Sequence, residues 1–375
     1  MSSDLLKDQF VLTKARMRQP RICIVGNLIG LNAGKVTTQG MILANLLRRD
    51  GYDVIAVSSR LNRLLRIMEI ILTIIRYRRS INVVIVEVYS GLSFMIADVA
   101  GLLGKLLRIR TVGVLHGGAL PEFVARNSAW GSRVLRRFDM LAAPSAYLKT
   151  SLEDLGLNVR IIPNVIDLGA YPHRLRGRIE PKLIWMRAFH SIYNPELAIE
   201  AFALICKRYS NATLVMAGVD KGLEATVKQL AHDLNVYDKV QFPGFFDEKA
   251  KRREFSAADI YLNTNNIDNM PVAVIEACAF GLPVIGTDVG GIGSLLNDGV
   301  DGLLVPAGDP GRIAAAVSRL VEDPELTGRL SQNGRLLAER SSWESVRTCW
   351  ENLFREIGFP ERSLDTAPIS GGSTV

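Results

Sequence analysis

Apolar positions along the chain fall into short β-rich runs, each followed by a stretch in which they recur at helical spacing. In the first half the predicted strands are RICIVG, DVIAVS, NVVIVEV, RTVGVL, DMLAAP and VRIIP. The second half repeats the scheme with KLIWM, ATLVMAG, KVQFPG, DIYLN, LPVIGT and GLLVP. Strands alternating with helices imply parallel sheets of α/β type. Two doubly wound domains then face each other across a cleft, with ligands at the carboxyl ends of the strands.

Residues 167–181, DLGAYPHRLRGRIEP, are polar and punctuated by Gly and Pro, which marks a linker. The expected division is an extension over 1–20, a first domain over 21–178, a second over 179–342, a last helix over 343–358 and a disordered tail over 359–375. A chain of 375 residues is long for one core and ample for two, and 48% apolar content is enough to fill both.

The stretch 268–309 carries the most chemistry. Asp268 precedes an Asn-Met-Pro turn, and Glu276 lies about two helical turns beyond, so both carboxylates can face one ligand at the head of a helix. Pro271 suits the first helical turn, and the backbone donors of Asn269 and Met270 are expected to be free to meet an anion, aided by the helix dipole. A Gly-Leu-Pro-Val break into a strand follows, then a Gly-Gly turn at Gly290 and Gly291.

This acid-x7-acid block resembles the signature of glycosyltransferase family 4, retaining nucleotide-sugar transferases built as two Rossmann-like domains in the GT-B architecture. Further family-like blocks recur in order over roughly residues 20–357: a glycine loop, LHGG, APSAYLKTSLEDLG, IIPNVID, LIWMRAF, KVQFPGF and a tryptophan-bearing SSWESV helix. The resemblance implies that Glu276 binds the donor ribose and that Asp268 lies beside the donor sugar. Asn269, Met270 and Val272, at the start of the same helix, join the donor site. It also implies that the last helix crosses back onto the first domain, that configuration is retained by a front-face route, and that the co-substrate is a nucleoside-diphosphate sugar. The implied acceptor is a hydroxyl of a glycan or lipid-linked molecule in bacterial-type surface polysaccharide or glycolipid synthesis.

Arg187 ends the first strand of the second domain and matches the family arginine that neutralises the donor diphosphate; its planar fork suits two phosphate oxygens. The family usually has a lysine followed by glycine about five residues later, where this chain has Tyr193 and Asn194. Either another cation such as Lys221 compensates, or the enzyme is weaker. His116 ends an apolar strand and precedes two glycines, so it faces the cleft and matches a family histidine that meets the transferred sugar. Gly34, in the loop GNLIGLNAGKVTTQG, is expected to approach the donor phosphate or the acceptor. Ile29 and Val36 stand where a P-loop needs Gly and Ser or Thr, so ATP hydrolysis is not indicated.

No D-x-D occurs in the chain, and metal-independent transfer is expected. Cys23, Cys206, Cys278 and Cys349 are scattered without a C-x-x-C pair, which fits a reducing cytoplasm rather than a disulfide framework. No leader pattern opens the chain, and no uninterrupted apolar run is long enough to span a bilayer.

The net charge of +7 is unevenly placed: residues 1–110 hold 17 Lys and Arg against 7 Asp and Glu, or +10, which leaves −3 for the rest. Residues 60–79, RLNRLLRIMEIILTIIRYRR, read as a basic amphipathic helix that either lies at an anionic membrane surface or packs on the sheet with its arginines solvated. Nucleic acid is not an expected partner, since no recognition motif accompanies the charge. Two alternatives remain: a nucleotide-sugar epimerase of similar fold, and an inactive homologue serving as a binding partner.

Overall fold

A computed structural model of the chain describes residues 20–32, 37–153 and 155–359. Gly34, the extension before Pro20 and the tail from residue 360 lie outside the described residues. The twelve predicted runs form twelve strands in two parallel sheets. The first holds β1 (Ile22–Val25), β2 (Val54–Val57), β3 (Val83–Val88), β4 (Arg110–Leu115), β5 (Met140–Ala143) and β6 (Val159–Ile161) in the order β2-β1-β3-β4-β5-β6. The second holds β7 (Lys182–Met186), β8 (Thr213–Ala217), β9 (Val240–Gly244), β10 (Ile260–Asn263), β11 (Val284–Thr287) and β12 (Leu303–Val305) in the order β12-β11-β10-β7-β8-β9. Sheets of this kind are covered by helices on both faces, which is why their strands read as near-continuous apolar runs.

Strand order reverses between β1 and β3 in the first sheet and between β7 and β10 in the second. At such a point the flanking loops run to opposite faces and leave a crevice at the carboxyl edge. The last helix, Trp343–Glu356, packs on the first sheet: Trp343, Trp350 and Phe354 share a buried cluster with Ile22 and Val83. Trp343 Nε1 also donates to Asp50 Oδ2 at 2.8 Å, and Arg160 pairs with Glu356 at 2.8 Å.

Residues 166–176 leave the first core and join the second. Ile166, Leu168 and Tyr171 lie with the helix Val272–Ala279 in one cluster. Arg176, only 2% exposed, donates to the backbone carbonyls of Phe255 (2.9 Å), Ala258 (3.1 Å) and Phe280. Burial, with Arg174 nearby, lowers its pKa to about 10, so the guanidinium is charged at neutral pH and ties the connecting segment to the second domain.

Candidate active site

Arg187 follows β7 and Asp268 follows β10, so the switch point of the second sheet brings them together. Arg187 Nη2 pairs with Asp268 Oδ2, and each side chain is 15% exposed. The guanidinium also lies over the ring of Tyr193, 4.4 Å from its centroid. Asn265 Nδ2 donates to the same Asp268 oxygen at 2.6 Å. The Nε of Arg187 is buried without a partner among the described residues. Tyr193, at the position where a lysine was expected, thus presents its ring face to Arg187. Asn194 takes the left-handed conformation, φ +45°, that favours glycine, and its side chain accepts from Leu197 N–H to cap the Pro195–Arg208 helix. Lys221 is exposed in the loop after β8, where its N–H donates to the Phe189 carbonyl at 3.2 Å.

The acid loop is shaped by close backbone approach. Gly291 N–H donates to the Asp268 carbonyl at 2.9 Å. A side chain at Gly290 or Gly291 would collide with the carbonyls of Asp268 or Asn269, which is what the Gly-Gly turn provides for. Two expectations need correction here. The Asn269 N–H is not free for an anion, because it donates to Asp268 Oδ1 at 2.7 Å. Pro271 also sits one position earlier than expected, as the N-cap, and the helix begins at Val272. Its φ of −66° suits either place, but its ψ of 113° is extended. No side chain caps this helix, and since the Val274 N–H already donates to the Pro271 carbonyl at 3.0 Å, the leading amides without an acceptor among the described residues are those of Val272 and Ala273. The Asn269 side chain, 3% exposed, accepts from the Ser145 hydroxyl, and the Met270 carbonyl accepts from Asn164 Nδ2 at 2.9 Å. Both bonds cross between the domains.

Glu276, 8% exposed in the second turn of that helix, receives Lys251 Nζ and the Tyr171 hydroxyl on the same oxygen, Oε1, each at 2.8 Å. Its Oε2 accepts no hydrogen bond among the described residues. Burial alone would lower the Lys251 pKa, but the charge of Glu276 and its hydrogen bond outweigh it and hold the ammonium above its ordinary value. Burial, reinforced by Glu276, pushes the Tyr171 phenol well up, so this hydroxyl acts as a donor across the accessible pH range.

Across the cleft, His116 follows β4 directly and is 6% exposed. Its ring stacks on Tyr89 at 4.9 Å, and Nε2 lies 3.2 Å from Glu87 Oε1, within ion-pair range but without hydrogen-bond alignment. Glu87 is 2% exposed at the end of β3, and its Oε2 accepts the Gly40 N–H at 3.2 Å at the start of the Gln39–Arg49 helix. Space for it exists because residues 26 and 40 are glycines: a Cβ on either would fall within 2.7 Å of the Glu87 side chain. Burial, with Glu87 beside it, pushes the Tyr89 phenol well above its ordinary value. Gly118, two residues after His116, packs so closely on Asp268 that a Cβ would lie 2.9 Å from the Asp268 carbonyl oxygen.

The structure thus groups Arg187, Asp268, Asn269, Met270, Val272 and Glu276 at one edge and sets the loop of His116 against it. Glu87, Lys251, Tyr171, Ser145 and Asn164 complete the cluster and were not singled out from the sequence. Only Glu87 carried a signal, as the one charge in an otherwise apolar strand run.

Two family profiles match adjacent stretches: one described as Glycosyltransferase Family 4 over residues 36–170, and one described as Glycosyl transferases group 1 over residues 178–337. Among similar proteins, N-acetyl-alpha-D-glucosaminyl L-malate synthase of Bacillus anthracis is 26% identical over 67% of this chain and 68% of its own length. Alpha-D-kanosaminyltransferase of Streptomyces kanamyceticus is 27% identical over 44% of this chain, and the chain spans only 42% of that relative. Among solved structures, sucrose-phosphate synthase from Thermosynechococcus elongatus superposes with a TM-score of 0.75 at 17% identity, covering 91% of this chain and 99% of that one. HepE of Anabaena, solved with UDP and glucose, gives 0.73 at 16% identity, covering 90% and 100%. Together the two profile matches and the paired doubly wound sheets show that the chain belongs to glycosyltransferase family 4 and has its GT-B fold.

Proposed function

We propose that the protein transfers a sugar from a nucleoside diphosphate to a hydroxyl of a glycan or lipid-linked acceptor, with retention of configuration and without a metal. The observation that carries this reading is the junction of Arg187 and Asp268 at the switch point of the second sheet, four residues ahead of an uncapped helix start and eight ahead of Glu276. Uridine nucleotides are the first donors to test, because HepE was solved with UDP and with UDP-glucose.

Each residue then has a defined task. Glu276, its carboxylate fixed by Lys251 and Tyr171, accepts hydrogen bonds from the ribose with its second oxygen. Asp268 and Asn265 border the donor sugar. Arg187, held between Asp268 and Tyr193, presents its remaining N–H groups to the diphosphate as negative charge grows on it, joined by the amides at the helix start. His116, backed by Glu87, faces the sugar from the opposite domain. No enzyme nucleophile is invoked: in a front-face route the departing phosphate receives the acceptor proton.

Purified protein incubated with EDTA and a series of nucleotide sugars, with release of nucleoside diphosphate as readout, tests the reading. Release accelerated over the blank in the presence of EDTA is expected. Absence of donor binding or turnover with every nucleotide sugar would favour the inactive homologue, and interconversion of donor sugars without release would favour the epimerase.

A further inference from the structure

The Arg63–Tyr77 helix carries two apolar stripes. Ile70 and Ile74 turn inward and are fully buried. On the opposite side Leu64, Leu65, Met68, Leu72 and Ile75 are between 41% and 73% exposed. At 100° per residue these five fall within an arc of about 100°, where a helix covering a sheet would carry polar residues. The neighbouring Phe94–Leu107 helix, packed beside it, repeats the feature with Met95, Leu102 and Leu106, the last 69% exposed. Scattered exposed leucines need no explanation; a shared apolar face on two adjacent helices does.

Cations border this face. Arg76, Arg78 and Arg79 are exposed, and none has a carboxylate within ion-pair distance among the described residues. At the end of the second helix, Lys105 and Arg108 likewise have no acidic partner among the described residues. They line a cavity of ≈ 410 Å³ with Arg110 and Arg137, whose acids are Asp139 and Asp98. Arg66 is excluded from the surface: only 6% exposed, it donates to the Arg60 carbonyl at 2.9 Å and to Asn27 Oδ1, tying the helix to the loop after β1.

A second copy of the chain in a two-fold pairing would bring these cations against one another. An anionic lipid surface satisfies both parts, since the interfacial acyl region takes the leucines and the headgroup phosphates take the arginines. We propose that the exposed face of these two helices docks the protein, in the plane of the interface, on an anionic phospholipid bilayer. No residue placed in the active site lies on this face, so docking stands apart from the transferase reading. Among the described residues no helix is long and apolar enough to cross a membrane, and the attachment is peripheral.

Sedimentation of the full chain with vesicles of equal parts phosphatidylglycerol and phosphatidylcholine, against pure phosphatidylcholine, is the test. Binding at low salt to the anionic vesicles, reversed by salt, is expected. Arg76→Gln, Arg78→Gln and Arg79→Gln should each lower partitioning by about fivefold. Leu64→Glu combined with Leu72→Glu should lower it by about tenfold or more, with an unchanged circular dichroism spectrum and Tm. Protein that stays in the supernatant, equal binding to neutral vesicles, or binding that neither set weakens would overturn the inference. So would a concentration-dependent dimer abolished by the leucine pair, which would assign the face to a second copy.

Discussion

The two sheets have the same architecture, yet their switch points are filled in opposite ways. In the first, the carboxylate of Glu87 sits at the start of the Gln39–Arg49 helix and takes the Gly40 N–H. A helix start beside a strand end is a ready site for a phosphate, and here the chain's own anion occupies it. In the second, the cation Arg187 follows β7 and pairs with Asp268 after β10, and the helix that begins at Val272 has no side-chain cap. Under the proposed function the difference divides the substrates: a diphosphate goes with the second domain, and the Glu87 and His116 side of the cleft is left to uncharged hydroxyls. Gly118 packed on Asp268, and the bonds from Ser145 and Asn164, bring the two edges into register.

Removing the cation should break this division most severely. Arg187→Ala is expected to lower kcat by about 10²-fold or more at saturating donor, on the scale of losing one preorganised donor to growing charge. Glu276→Ala should instead act chiefly through donor KM, because a ribose hydrogen bond is present in ground and transition states alike. Steady-state kinetics with donor varied would separate them; normal kinetics in either folded variant would take that residue out of the site.

Stability should expose the next difference. Lys251 and Glu276 form a buried pair, their side chains 11% and 10% exposed, and breaking such a pair by removing one partner costs about 3–5 kcal/mol. Lys251→Met should therefore melt well below wild type. The Lys251 pKa is raised in the folded state, so its contribution is fully present below the ordinary value of 10.5 and is lost as pH rises through the higher folded value. The gap between the two proteins should thus stay constant from neutral pH to about 9 and close in strong alkali, which Tm measured against pH would show. A gap that stayed unchanged in strong alkali would contradict the pairing.

Glu87→Gln sharpens the comparison from the other side. The amide still accepts from Gly40, so the fold should persist, but the negative charge beside His116 is gone. If Glu87 acts through His116 as a positioning residue, kcat should fall about tenfold with donor KM unchanged, and Glu87→Asp should recover part of the loss. A fall in Tm that accounts for the whole loss of activity would reduce Glu87 to a structural role.

How legible these features are in the sequence depends on how local their causes are. All twelve strands follow from short apolar runs, because a strand covered on both faces has little choice of composition. Asp268, Glu276 and Arg187 are marked by spacing and position at element ends. Lys251 is hidden in the charge run EKAKRR, where only tertiary contact distinguishes the one lysine that turns inward to Glu276. The Asn269 N–H is taken by Asp268 Oδ1 through a side-chain torsion that no pattern records. Likewise, the helix 63–77 has apolar residues on two sides, and their periodicity alone does not say which stripe the sheet covers.

Tyr193 gives the most discriminating test, since it stands where a lysine was expected from the family resemblance. Its ring supports the guanidinium of Arg187 at 4.4 Å in a partly desolvated setting, a contact of about 1–2 kcal/mol. Tyr193→Leu should free Arg187 to reorient and lower kcat by roughly five- to thirtyfold, whereas Tyr193→Phe, which keeps the ring face, should stay within about twofold of wild type. Tyr193→Lys separates support from charge. If this chain replaced a second cation with a stack and lost field strength at the leaving group, the lysine should match or exceed wild-type turnover. If the stack is what holds Arg187 on the diphosphate, a like charge beside it should push Arg187 further onto Asp268, and turnover should fall below that of the leucine variant. Measuring kcat for the four proteins at saturating donor decides between them, and equal turnover in all four would show that Tyr193 does not act through Arg187.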